Sequence, residues 1–336
     1  MNVMTSQTFR KFARLTALLA FAVVVLGAYV RLTDAGLGCP DWPGCYGKLT
    51  VTGVMRDVSG AEEAFPERAV DAGKAWREML HRYLAAILGL AIVGLAVLAW
   101  RRRHLPGQPV ALPLALVGLV IFQGLLGMWT VTLLLKPVVV MAHLLGGMTT
   151  LALLWWLSLT PAAPGSGRHR LVSLALAGVA VLVAQIALGG WTSTNYAALA
   201  CPAFPSCNGS WWPDMDFAEG FRLWRGLGVD YEGGVLHNSA RMAIHYSHRI
   251  FALVVIVVLG SLIFRGLGDR SRPDIRAAAR LLGAALVTQL VVGIAIVKTG
   301  LPLSLATAHN AFAAVLLLCL LTMLRRLLPT TVQPPH

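Results

Sequence analysis

Eight stretches of roughly twenty apolar residues, near 12–32, 76–100, 111–135, 138–160, 171–192, 240–265, 277–299 and 302–327, dominate the sequence. As a helix, each is long enough to cross a hydrocarbon core of about 30 Å. The chain is 57% hydrophobic and only 13% charged, where a soluble domain is about a quarter charged. The predicted fold is therefore an all-α, polytopic membrane protein of eight spans. A formal charge of +13 would point to nucleic acid in a soluble domain. Here the cations lie between spans, and no nucleic-acid partner is expected.

Their placement sets an orientation. Arg10, Lys11 and Arg14 precede span one, and Arg101, Arg102 and Arg103 follow span two. Arg168 and Arg170 separate spans four and five, while Arg265, Arg270, Arg272, Arg276 and Arg280 flank the turn between six and seven. Arg325 and Arg326 close span eight. All fall on one side, which the positive-inside rule makes cytoplasmic. Both termini are expected inside, and the long loops near 33–75 and 193–239 outside.

The chain also repeats itself. Residues 26–45 read LGAYVRLTDAGLGCPDWPGC and residues 188–207 read LGGWTSTNYAALACPAFPSC. Leu-Gly opens both, and Cys-Pro-x-x-Pro-x-Cys closes both, as Cys39 and Cys45 and again as Cys201 and Cys207. The correspondence continues: His81-Arg82 matches His248-Arg249, Gln123 and Gly127 match Gln289 and Gly293, and His143 matches His309. Two fused four-helix halves are expected, 1–165 and 166–336, related by a pseudo-twofold axis along the membrane normal. Span one has a counterpart in span five, so it is expected to belong to the fold and not to a leader.

Nine histidines are present. His104 and His169 lie in basic loops and His336 is the last residue, so all three read as ordinary solvent-facing groups. His237 has no counterpart and reads as solvent-facing or interfacial. His81, His143, His248 and His309 differ: each sits near the start of an even-numbered span, at matched depth near the outer side. Ionisable groups inside spans are costly and face a bundle interior or cavity. Two histidines on facing helices of a bundle can grip a metal or a heme. A lone zinc ion wants three or four ligands, whereas a heme supplies four nitrogens and needs only axial imidazoles. One heme per half fits best, with His81 paired to His143 and His248 to His309. Arg82 and Arg249, at the outer boundary, are candidates for holding propionates or for simple snorkelling.

Glu78 lies three residues before His81, hence on the same helix face, where the second half has His245 before His248. A carboxylate in a poorly hydrated pocket can carry protons or stabilise positive charge; its alternative is a plain ion pair with Arg82. The asymmetry assigns chemistry to the first half and a resident cofactor to the second. The cysteines of each outer loop have five residues between them and are expected to form two short-range disulfides, Cys39–Cys45 and Cys201–Cys207. Their role is structural by default, with a redox role as the alternative. Cys319, within span eight, reads as packing.

RLTDAGLGCPDWPGC, EMLHR, MAHLLGG, HYSHRIFA and TAHNAFAA, in this order on eight spans, resemble the heme A synthase family, and the cysteine-bearing loops are similar to its bacterial members. The resemblance spans nearly the whole chain. It implies an oxidoreductase of the bacterial plasma membrane that oxidises the C8 methyl of heme O to a formyl group by successive hydroxylations and loss of water. It further implies that His81 and His143 bracket the substrate heme, that Glu78 assists catalysis, and that His248 and His309 ligate heme B. Implied partners are a heme O synthase (a farnesyltransferase), an aa3-type terminal oxidase that takes the product, and membrane lipid; self-association stays open. The main alternative is a di-heme b-type electron carrier linked to quinone, which needs the same four histidines but no glutamate on one side alone. A membrane thiol oxidase would use the cysteines and leave the histidines idle. A transporter would show broken helices at the midplane, and none is evident.

Overall fold

The computed structural model describes residues 2–160 and 169–328. The expected boundary at 165/166, Arg168 and His336 lie outside the described residues. The helices are α1 (Asn2–Leu32), α2 (Val51–Met55), α3 (Val58–Ala64), α4 (Ala72–Arg101), α5 (Ala111–Thr132), α6 (Pro137–Ser158), α7 (Val172–Thr194), α8 (Phe217–Gly220), α9 (Asn238–Leu267), α10 (Pro273–Thr299) and α11 (Leu303–Leu327). Eight are long and apolar enough to cross a membrane. They coincide with the eight apolar runs, and no strand occurs among the described residues.

The helix ends follow local chemistry. Asp71 caps α4 by accepting the Lys74 amide at 2.9 Å, which starts the helix one turn before the apolar run. His237 does the same for α9, its Nδ1 accepting the Ala240 amide. Pro137 and Pro273 begin α6 and α10, where a missing N–H costs nothing. Gly300, at φ 73°, ends α10 in the left-handed conformation that glycine adopts without strain. Inside the spans, polar side chains turn back on their own helix: Thr16 donates to the Phe12 carbonyl and Thr150 to that of Gly146. That satisfies groups that hydrocarbon cannot.

Packing groups the spans into two closed rings. In the first, α1 packs on α4, α4 on α5, α5 on α6 and α6 on α1; in the second the order is α7, α9, α10, α11 and back to α7. The rings meet through α1, α6, α7 and α11. One continuous apolar core runs through both, from Phe9, Ile92 and Leu154 to Leu259, Leu282 and Leu320.

The long loops are folded caps. The first packs Cys39, Cys45, Tyr46, Val51, Val54 and Ala61 against Ala75 and Met79 of α4. Part of the second, around 221–236, crosses onto the first ring. There Glu232 accepts from Arg68 at 2.6 Å and from Lys74 at 2.9 Å, and Asp230 accepts from Arg68 at 2.8 Å. The Tyr231 amide donates to the Leu134 carbonyl at 3.1 Å. Lys136, buried, donates to the Gly226 carbonyl and lies over the Trp224 ring.

Candidate functional site

The four matched histidines sit at the cysteine-loop end of the rings. His81 is on α4 and His143 on α6, diagonal partners in the first ring; His248 on α9 and His309 on α11 are diagonal in the second. The flanking helices contribute glycines against each imidazole. A Cβ at Gly27 on α1 would lie 2.9 Å from His81 Cε1, and one at Gly127 on α5 would lie 3.5 Å from His143 Cε1. In the second ring, Gly189 on α7 and Gly293 on α10 stand at 3.1 and 3.0 Å from Cε1 of His248 and His309. These glycines were legible in part: Gly27 and Gly189 belong to the Leu-Gly that opens each repeat, and Gly127 and Gly293 were matched without a role.

The His81 and His143 rings are 6.4 Å apart, centroid to centroid, with planes at 80°. Two metal–nitrogen bonds of about 2 Å, with about 1.2 Å from each nitrogen to its ring centre, require about 6.4 Å. The spacing therefore fits one iron between two imidazoles. All four rings are half-buried, and each leaves a buried Nδ1 without a hydrogen-bond partner. Among the described residues no three His, Cys, Asp or Glu side chains converge on one point. Two imidazoles with apolar walls suit a porphyrin and not a lone ion. One contact works against immediate ligation, because Gln289 Nε2 lies 3.2 Å from His309 Nε2 and has to move aside for an iron there.

Glu78 lies one turn before His81, 5% exposed. Its Oε2 accepts the Cys39 amide at 2.9 Å and its Oε1 pairs with Arg82. The carboxylate thus ties the histidine turn to the disulfide loop. Arg82, a candidate for propionates, donates to the carbonyls of Asp41 at 2.9 Å, Pro43 at 3.2 Å and Gly44. Arg249 repeats this with the carbonyls of Ala203 at 2.8 Å, Ser206 at 3.3 Å and Cys201. Its Nε donates to His245 Nε2 at 3.1 Å, where the first ring has the carboxylate. Both expected disulfides, Cys39–Cys45 and Cys201–Cys207, are formed, and Cys319 is free.

The remaining histidines stand apart from these sites. His237 is the α9 cap described above. His169, expected as an ordinary loop group, is instead held: its Nε2 lies 2.8 Å from Asp269 Oδ2, joining two loops at the arginine-rich end. Hydrogen bonds from Ser271 and then His169 pull the Asp269 carboxyl down to about 2.

Fold and site together define a multi-pass helical membrane protein with a histidine pair in each of two four-helix rings and a carboxylate beside one pair only. The model of the COX15-CtaA family, cytochrome oxidase assembly proteins, matches residues 10–321. A relative from Shewanella oneidensis named heme A synthase is 44% identical over 314 residues, covering 92% of this chain and 93% of its own. Proteins of the same name from Caulobacter vibrioides and Shouchella clausii are each 28% identical, over 90% and 94% of this chain and 91% and 96% of theirs. The chain belongs to the COX15-CtaA family of cytochrome oxidase assembly proteins.

Proposed function

We propose that the chain is a heme A synthase, a membrane oxidoreductase that takes heme O and oxidises its C8 methyl to a formyl group through two hydroxylations and loss of water. The observation that carries this reading is the pairing of two histidine sites with a single carboxylate, Glu78, beside the first. His81 and His143 bracket the substrate heme. His248 and His309 hold heme B, which supplies one-electron redox chemistry when bound. The halves 1–165 and 166–336 divide the labour accordingly.

Glu78 is placed to accept a proton released as the methyl carbon is oxidised. Uptake at Oε1 releases Arg82, whose other donors stay on the loop carbonyls, so the loop keeps its position while charge shifts. The Cys39 amide holds Oε2 at the disulfide loop. The basic ends of the spans support a reading in which both termini lie in the cytoplasm and the cysteine loops outside a bacterial plasma membrane. Heme O arrives from a farnesyltransferase partner, and the product goes to an aa3-type oxidase.

The test is expression in a host that makes heme O but has no heme A synthase, followed by extraction and identification of the hemes. The wild type yields heme A. Glu78→Gln retains heme O and heme B and yields no heme A. Two heme B per chain, unchanged by the heme O supply, would make the protein an electron carrier instead.

A further inference from the structure

The span α5 carries a single carboxamide, Gln123, 9% exposed and one turn from Gly127, the glycine beside His143. Its amide nitrogen lies against the backbone of α6 at Gly146, where a Cβ would fall 1.8 Å from Nε2. Gly146 follows His143 by three residues, so both share one face of α6. Gln123 Nε2 is buried there with no hydrogen-bond partner. A buried N–H without an acceptor bears its whole desolvation penalty, and a hydrocarbon surround offers no water to relieve it.

The second ring treats the matching residue differently. Gln289 directs its Nε2 to His309 at 3.2 Å, leaving only its carbonyl oxygen without a partner. Three residues after His309 stands Phe312, not glycine. One glutamine is closed onto its histidine; the other keeps a free donor in space that exists because residue 146 lacks a side chain.

We propose that Gln123 is the specificity residue by which the His81/His143 site selects a porphyrin carrying a hydroxyl on its rim substituent over one without. This inference rests on the function proposed above. Heme O differs from heme B by a hydroxyethylfarnesyl chain in place of a vinyl group, so it brings one hydroxyl oxygen as an acceptor and a long apolar tail. Rotation about the terminal torsion of Gln123, a broad two-fold well, turns its N–H toward that oxygen. In the second ring the matching carboxamide rests on His309, and Phe312 stands where the first ring has Gly146. A site built to hydrogen-bond a hydroxyl rejects the analogue lacking it, because its own donor is then stranded.

The purified full-length protein in lipid nanodiscs is equilibrated with an equimolar mixture of heme O and heme B. Unbound heme is removed, and the retained hemes are extracted and counted per chain. No formyl-bearing heme is present, so a preference reports the hydroxyethylfarnesyl group and not the oxidised methyl. Gln123→Met keeps the volume and the tail contacts but removes the donor. It should lower the ratio of heme O to heme B at the first site about tenfold, equivalent to about 1.4 kcal/mol, while one resident heme B per chain reports an intact fold. Gly146→Ala, which drives the carboxamide from its seat, should do the same. An unchanged ratio in both variants, or an equal loss of both hemes, overturns the inference. If the wild type makes heme A in cells and only the variants' ratio fails to move, the inference falls alone. If the wild type makes no heme A and shows no preference for heme O, the functional reading falls with it.

Discussion

The glycines facing the four imidazoles allow a graded test of the site. Gly27→Ala would place a methyl 2.9 Å from His81 Cε1, where carbon atoms rest at about 3.5–4.0 Å. The ring has to give by about 0.6 Å or more, and it is wedged between packed helices. Overpacking of this kind costs about 1–3 kcal/mol, and disturbing the groups that orient a metal-bound histidine lowers affinity about 10–100-fold. Gly189→Ala and Gly293→Ala meet their rings at 3.1 and 3.0 Å, whereas Gly127→Ala meets His143 at an ordinary 3.5 Å. Within a helix, alanine for glycine alone gains up to about 1 kcal/mol, so a loss of heme marks the collision and not the helix. The assay is heme retained per chain, with the low-spin electron paramagnetic resonance signal of each iron. Gly27→Ala should depress the first site at least tenfold and spare the second, with Gly189→Ala and Gly293→Ala doing the reverse. Gly127→Ala should stay within about twofold of wild type. Equal damage from Gly127→Ala and Gly27→Ala would refute the packing argument.

Other contacts make separate predictions. Burial alone would raise the Glu232 carboxyl, yet hydrogen bonds from Arg68 and Lys74 hold it below its usual range. Glu232→Gln should loosen the 221–236 segment from the first ring, read as faster limited proteolysis there, with an effect on melting of about 1 kcal/mol or less. Asp269 titrates at about 2 when folded against an ordinary value of 3.8. Because its folded value is depressed, its contribution is complete above about pH 4 and is lost as pH falls through about 2. Asp269→Asn should therefore lower the melting temperature by the same amount from pH 5 to 8 and flatten the acid limb between about pH 4 and 2. An unchanged acid limb in thermal melts would sink that assignment.

The span pattern and the histidine pairs were legible because hydrocarbon forces long unbroken apolar runs, and a rare imidazole inside such a run stands out. The two cysteine pairs were legible for a similar reason, being close in sequence and set in loops. The glycine opposite each histidine was legible as a repeated residue but not as a contact, since Gly27 is 54 positions from His81 in the chain and only the closed ring brings them together. The loop contacts of Arg82 and Arg249 were not legible either. A cation at a span boundary looks available for a ligand until the folded loop shows its carbonyls surrounding it. The ends of α4 and α9 fall outside their apolar runs because a capping side chain, not hydropathy, starts each helix.

The arginines that follow His81 and His248 explain why the outer loops and these histidine turns belong together. A guanidinium near hydrocarbon is costly unless its donors are met, and here they are met almost wholly by backbone carbonyls of the disulfide loop. Two of those carbonyls, Asp41 and Gly44 for Arg82, recur as Ala203 and Ser206 for Arg249. Each loop can present several carbonyls to one point because its disulfide closes it into a small ring. The residue before each arginine is His81 or His248, so fixing the guanidinium fixes the helix turn that aims the imidazole. The remaining donor distinguishes the sites: Arg82 spends it on Glu78, a charged group able to take a proton, and Arg249 on the neutral acceptor of His245. One scaffold thus holds two histidine turns, and the group at the remaining donor, Glu78 in one and His245 in the other, differs between them.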